Sequence, residues 1–179
     1  LVEGTGLEAE ARIAAGGAAR ADRIAEAFLE RIDGLAALDL FLSIRAALRA
    51  KIAAARAPHL ATRERHAAEA EARRLFGDAA EHLSAKTPRL VAIGGLSGSG
   101  KSRLAVDVAP RLDPAPGALV LRTDEIRKLL AGVVPTTRLS ADHYTAEASA
   151  AIYRVIETAA ARALAAGRSV VIDAVAAHP

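Results

Sequence analysis

Gly95-Leu96-Ser97-Gly98-Ser99-Gly100-Lys101-Ser102 satisfies the pattern G-x-x-x-x-G-K-[ST] in full. It follows the apolar run Leu90-Val91-Ala92-Ile93 and leads into Arg103-Leu104-Ala105-Val106, which can continue as a helix. A strand before and a helix after is the context in which this pattern binds phosphate. Glycines allow a tight curl whose successive N–H groups point inward at an anion. The helix N-terminus adds partial positive charge at the same place. Lys101 can then reach β- and γ-phosphates, and the Ser102 hydroxyl can hold Mg²⁺. Residues Gly95 to Ser102 are therefore expected to bind a nucleotide, with ATP and Mg²⁺ as the cofactors. A chance Gly/Ser turn would leave both flanks unaccounted for.

Outward from the loop, strands and helices alternate. The pattern predicts strand 89–94, helix 101–112, strand 118–122, helix 124–131, helix 145–166 and strand 169–174. Such alternation implies a parallel sheet covered by helices. Gly167 suits the helix stop before the last strand, and Pro110 should end or kink the first helix. The character changes at Lys86-Thr87-Pro88, and residues 7–86 read as all-helical. There Ile24, Phe28 and Ile32 recur every fourth position, and Gly34 can stop that helix. A second helix carries Phe41, Ile44, Leu48 and Ile52 on one face and ends before Pro58. A third runs from about Ala61 to Leu83, with Glu69 and Arg73 as an expected ion pair one turn apart. The fold class is thus α/β, a partial P-loop NTPase parallel sheet preceded by an all-helical segment, with the division between residues 86 and 87.

Composition bounds the rest. The 179 residues suffice for one domain or two small ones. Half are apolar, but Ala dominates and only 3% are aromatic, so the core must be built of small side chains. The absence of Cys excludes disulfides and thiolate metal sites. A net charge of +3 is too weak a signal for nucleic acid without a clustered patch. No window of 18 continuous apolar residues is present, so no membrane span is expected, and without a visible signal peptide the expected location is cytoplasmic. With no Met, and running from Leu1 to Pro179 just past an apolar strand, the sequence reads as a piece of a longer protein.

Further residues suit phosphoryl chemistry. Val170-Val171-Ile172-Asp173 is an apolar strand ending in a carboxylate, and beside the loop strand Asp173 would approach Mg²⁺ next to Ser102. Asp124 follows the strand Ala118-Leu119-Val120-Leu121, where ligands of open α/β sheets bind. It could orient an acceptor hydroxyl and take its proton, or simply cap a helix. Arg127, one turn on, could clamp a phosphate or be solvated. Arg138, His143 and Tyr144 are either loop surface or the wall of an acceptor pocket. His59, His66 and His82 are too scattered for a metal motif, and Arg45, Arg49, Lys51 and Arg56 read as a solvated or domain-contacting face.

The stretches GGLSGSGKS (94–102), LRTDEIRKLL (121–130) and AAGRSVVIDAV (165–175) give residues 90–177 a resemblance to AAA-like P-loop kinases. These are relatives of polynucleotide kinases, zeta toxins and gluconate kinases. The resemblance implies phosphate and Mg²⁺ roles for Lys101 and Ser102 and a metal carboxylate role for Asp173. The Asp124-x-x-Arg127 spacing is similar to the polynucleotide-kinase pattern, which implies a general base at Asp124 and an acceptor-phosphate contact at Arg127. Lys101 joins these two as the catalytic set. The segment Phe41 to Lys51 resembles the last helices of an aminoglycoside-phosphotransferase-like domain, which is often fused ahead of such a kinase in bacteria. No His-Gly-Asp catalytic loop of that domain is present. Lid arginines and a base-contacting segment are expected beyond the third strand.

Together these readings point to transfer of the ATP γ-phosphoryl group to a hydroxyl-bearing small molecule. A nucleotide-binding switch with little catalysis and a nucleic-acid end kinase are the alternatives. The last is disfavoured by the lack of a basic groove with interleaved aromatics.

Overall fold

Three short aliphatic runs pair into one parallel sheet: β1 (Leu90–Ile93), β2 (Leu119–Arg122) and β3 (Val170–Asp173). The order is β1-β3-β2, so the third strand in sequence is the central one. Its hydrogen-bonding groups are paired on both sides, and Val170 and Val171 are fully buried. A computed structural model describes the backbone of residues 4–174 and the side chains of residues 16–174. Val175 to Ala177, which end the resembling stretch, lie outside the described residues.

The helices are α1 (Gly4–Asp33), α2 (Leu38–Arg56), α3 (Thr62–His82), α4 (Lys101–Val108), α5 (Thr123–Leu130) and α6 (Ala146–Ala165). Helix α4 links β1 to β2, and α6 leads back into β3 between them. The two crossovers run in opposite directions along the sheet, so right-handed connections place α4 and α6 on opposite faces. On the α4 face, Ala105, Ala109 and Val171 form a buried cluster with Val91, Ile93 and Val120 packed around it. On the other face, α6 buries Ile152, Ile156, Ala159, Ala160 and Ala163. Thr145 caps α6 by accepting a hydrogen bond from the Ala148 amide at 3.2 Å.

The helix expected over 101–112 ends at Val108, and Ala109–Arg111 tightens into a 3₁₀ turn. Pro110 has no N–H to continue the ladder. The chain then doubles back so closely that only glycine fits at position 117. Its φ is +117°, and a Cβ there would lie 2.7 Å from the Ala109 carbonyl oxygen. Buried Arg168 donates to the Ala115 carbonyl at 2.7 Å, which ties this return to the entry of β3.

The chain divides into two compact units, one of residues up to Asp33 with those from Pro88 on, the other Gly34–Thr87. Breaks therefore fall at both 33/34 and 87/88, whereas the sequence reading set residues 1–86 together. The reason is packing: α1 lies against α5 and α6.

In the second unit α2 packs on α3 through Ser43, Ala46, Ala50 and Ala53 against Ala68, Leu75 and Ala79. Small residues let the two backbones approach. The larger stripe of Phe41, Ile44, Leu48 and Ile52 is exposed. Glu69 pairs one turn back with Arg65 at 3.7 Å, instead of ahead with Arg73. Arg45, Arg49, Lys51 and Arg56 are exposed, as are His59 and His66, while His82 is half-buried. Among the described residues, no helix is long and apolar enough to cross a membrane.

Candidate nucleotide and acceptor site

The loop Gly95–Ser102 leaves the end of β1 and becomes the first turn of α4. Gly98 and Gly100 have φ of +78° and +86°, a left-handed conformation that side chains with a Cβ disfavour. Those two residues curl the loop around the start of α4. Lys101 is 9% exposed, and its Nζ donates to the Leu96 carbonyl at 2.5 Å, across its own loop.

Strand register assembles the second part of the site. Asp173 pairs with Ile93 of β1 on one side and with Arg122 of β2 on the other. Side chains alternate along a strand, so Asp173 shares the α4 face with Val171, and Arg122 shares it with Val120. Ser102, at the start of α4, donates its hydroxyl to Asp173 Oδ2 at 2.6 Å. Arg122 Nε donates to the same oxygen at 3.3 Å, while Nη1 of Arg122 donates to Glu125. Asp173 is thus a buried carboxylate held by a hydroxyl and a guanidinium.

Helix α5 forms the facing wall. Asp124 is its second residue rather than its cap: the position before the helix is Arg122, with no side-chain capping bond. The half-exposed Asp124 carboxylate accepts an ion pair from Lys128 at 2.8 Å. Arg127 is half-buried and engaged by neighbouring groups. It donates to the His143 carbonyl and, at 3.3 Å, to Ser149 Oγ, and its guanidinium lies 4.8 Å from the Tyr144 ring centre. A cation over an aromatic face is an attractive arrangement. Of the loop residues between α5 and α6, Tyr144 lines the site and His143 contributes its carbonyl to Arg127, whereas Arg138 is exposed and outside it.

These groups surround one cavity of about 1000 Å³ within the first unit. Ser97, Gly98, Lys101, Ser102 and Asp173 line it, together with Arg122, Asp124, Arg127, Tyr144 and Tyr153. The donor set fits a nucleotide with Mg²⁺. Among the described residues no cluster of three or more His, Cys, Asp or Glu side chains could hold an ion alone. Mg²⁺ needs no such cluster, because it is ordinarily held by one or two carboxylates together with substrate phosphates. Asp173 and Ser102 offer one carboxylate and one hydroxyl beside the phosphate loop.

Sequence reasoning missed Arg122, Ser149 and Tyr153. The signal for Arg122 was present: it ends a strand with the parity of Val120, as Asp173 ends one with the parity of Val171. Ser149 and Tyr153 lie one turn apart on α6, and only the placement of that helix reveals their common direction.

Residues 90–179 match a family model described as AAA domain, half of the chain. Uncharacterized proteins of Mycobacterium bovis and of two strains of Mycobacterium tuberculosis are each 33% identical over 139 residues. The match covers 75% of this chain and 26% of each relative, so the chain spans about a quarter of their length. No solved structure matches.

Proposed function

This chain belongs to the AAA domain family of P-loop NTPase-like proteins, and on that premise we propose that it is the nucleotide-binding part of an ATP-dependent small-molecule kinase. The observation that supports this best is the shared cavity: the phosphate loop, the Ser102–Asp173 pair and Asp124 line the same space. A nucleotide-binding protein needs only the first two. A kinase also needs a carboxylate within reach of the acceptor.

In this reading the amides of Gly95–Ser102 and the Lys101 ammonium hold the phosphates. Bound at Ser102 and Asp173, Mg²⁺ would neutralise phosphate charge. An acceptor hydroxyl enters between Asp124 and Arg127. Its oxygen forms a bond to the γ-phosphorus as the bond to the ADP oxygen breaks, and its proton passes to Asp124. Positioning and charge neutralisation carry most of the rate. The acceptor is a small molecule, not nucleic acid, and the protein works in the cytoplasm. The helical residues 1–86, through the stretch Phe41–Lys51, would be the end of an aminoglycoside-phosphotransferase-like domain.

The ion pair between Asp124 and Lys128 favours a second reading, a nucleotide-binding switch with little transfer, because it engages the carboxylate that an acceptor hydroxyl would need. Incubation with γ-labelled ATP and a panel of polyols, sugars and nucleosides separates the two. Label transferred to an acceptor supports the kinase. Tight nucleotide binding with no labelled product across the panel supports the switch.

A further inference from the structure

The Arg122 guanidinium lines the cavity beside Asp173 and has no part in the transfer step proposed above. It ends β2 beside Asp173, and β2 register fixes it there. Two of its three nitrogens are held, Nε by Asp173 and Nη1 by Glu125. Among the described residues, Nη2 has no hydrogen-bond partner. The side chain is 30% exposed and lines the same cavity as Lys101 and Ser102.

Neutralising Asp173 does not account for this arrangement. A guanidinium devoted to one carboxylate frequently uses two parallel N–H groups. Here only Nε reaches Asp173, at the long distance of 3.3 Å, and Glu125 draws the neighbouring nitrogen aside. The result is a planar donor held at two corners, with the third left for a ligand. Lys101 belongs to the loop, and Arg127 is tethered at the far wall by His143, Ser149 and Tyr144. Arg122 is the cavity cation closest in bonding to the Ser102–Asp173 pair.

We infer that Arg122 is a contact for the terminal phosphate of a bound nucleoside triphosphate, and that it makes the site favour triphosphate over diphosphate. The inference rests on the nucleotide reading. The loop amides take the inner phosphates and Lys101 bridges the β- and γ-phosphates, so the remaining charge of a triphosphate falls on the cavity side of Ser102 and Asp173. Arg122 supplies the positive charge there, and Glu125 keeps it from closing fully onto Asp173.

The test is calorimetry in Mg²⁺ with ADP and with a non-hydrolysable ATP analogue, on the 179-residue chain and on Arg122→Gln and Arg122→Lys. Arg122→Gln should weaken the analogue by about 10- to 100-fold, the range for a hydrogen bond to a charged group, and ADP by less than about threefold. Arg122→Lys keeps the charge beside Asp173 and guards against loss of the fold. A compact ammonium cannot serve Asp173, Glu125 and a phosphate together, so it should still weaken the analogue selectively, by about fivefold or more. Equal losses for ADP and the analogue, or no loss in either variant, would overturn the inference while leaving the nucleotide reading intact. A wild-type chain that binds neither nucleotide overturns both.

Discussion

The Ser102 hydroxyl and the Asp173 carboxylate meet at 2.6 Å, joining the first turn of α4 to the end of the central strand. The contact brings together two groups 71 positions apart in the chain. If they hold Mg²⁺, Asp173→Asn keeps the shape and removes the charge. We predict that the Mg²⁺-dependent gain in nucleotide affinity then falls by about 10- to 100-fold, while affinity in EDTA stays unchanged. Titrations with and without the metal check this. A full metal response in the variant would place the ion elsewhere.

Lys101 is expected to matter for phosphate more than for fold. Its Nζ donates to a carbonyl of its own loop, a bond that a phosphate oxygen can replace. We predict that Lys101→Ala lowers nucleotide affinity by about 10- to 100-fold with an unchanged circular dichroism spectrum. Equal affinities in calorimetry would remove Lys101 from the phosphate site.

Asp124 is tested by separating transfer from binding. We predict that Asp124→Asn cuts phosphoryl transfer by about 10²- to 10⁴-fold, the range for losing a general base, and leaves ATP affinity within about twofold. Transfer that survives the change, or affinity that falls as far as turnover, would assign Asp124 to its pairing with Lys128 instead.

Gly117 offers a test of the fold alone. Its absent side chain leaves room for the Ala109 carbonyl, and its φ is +117°. Gly117→Ala should destabilise the first unit by about 1–3 kcal/mol, through strain and overpacking together. Urea denaturation measures it, and an unchanged midpoint would contradict the close approach.

The second unit makes an unusual prediction about which apolar residues count. Ala50 is buried between α2 and α3, whereas the larger Leu48 is 56% exposed. Ala50→Leu should cost about 1–3 kcal/mol by overpacking, and Leu48→Ser less than about 0.5 kcal/mol. Thermal melts of the two variants settle the order.

These last two residues also show where sequence reading runs out. Period and spacing correctly marked the loop at 95–102 and three strands within a residue of their bounds. Both are local properties, set by glycine conformations and by runs of aliphatic side chains. Which face of α2 is buried is not local. The stripe Phe41, Ile44, Leu48 and Ile52 has the stronger periodicity, yet α3 packs on the alanine side. The neighbour of Glu69 was misjudged for a similar reason, since Arg65 and Arg73 are equally spaced from it and only rotamers choose between them. Arg122 escaped notice because its partner Asp173 is 51 positions away, and register between non-adjacent strands is invisible until the sheet order is known.

The sheet order also dictates when the lining of the cavity can assemble. β1 and β2 share no hydrogen bonds, and both are joined only through β3, which is the last described strand in the chain. A nascent chain that has emerged as far as α6 therefore carries a phosphate loop with nothing to hold it beside Arg122. Insertion of four residues, Val170 to Asp173, joins β1 to β2 and brings the Asp173 carboxylate to Ser102 in the same event. Long-range pairing of this sort is slow, because loop closure precedes the contacts that reward it. The joining of β1 to β2 through β3 and the meeting of Asp173 with Ser102 and Arg122 thus arrive together during synthesis.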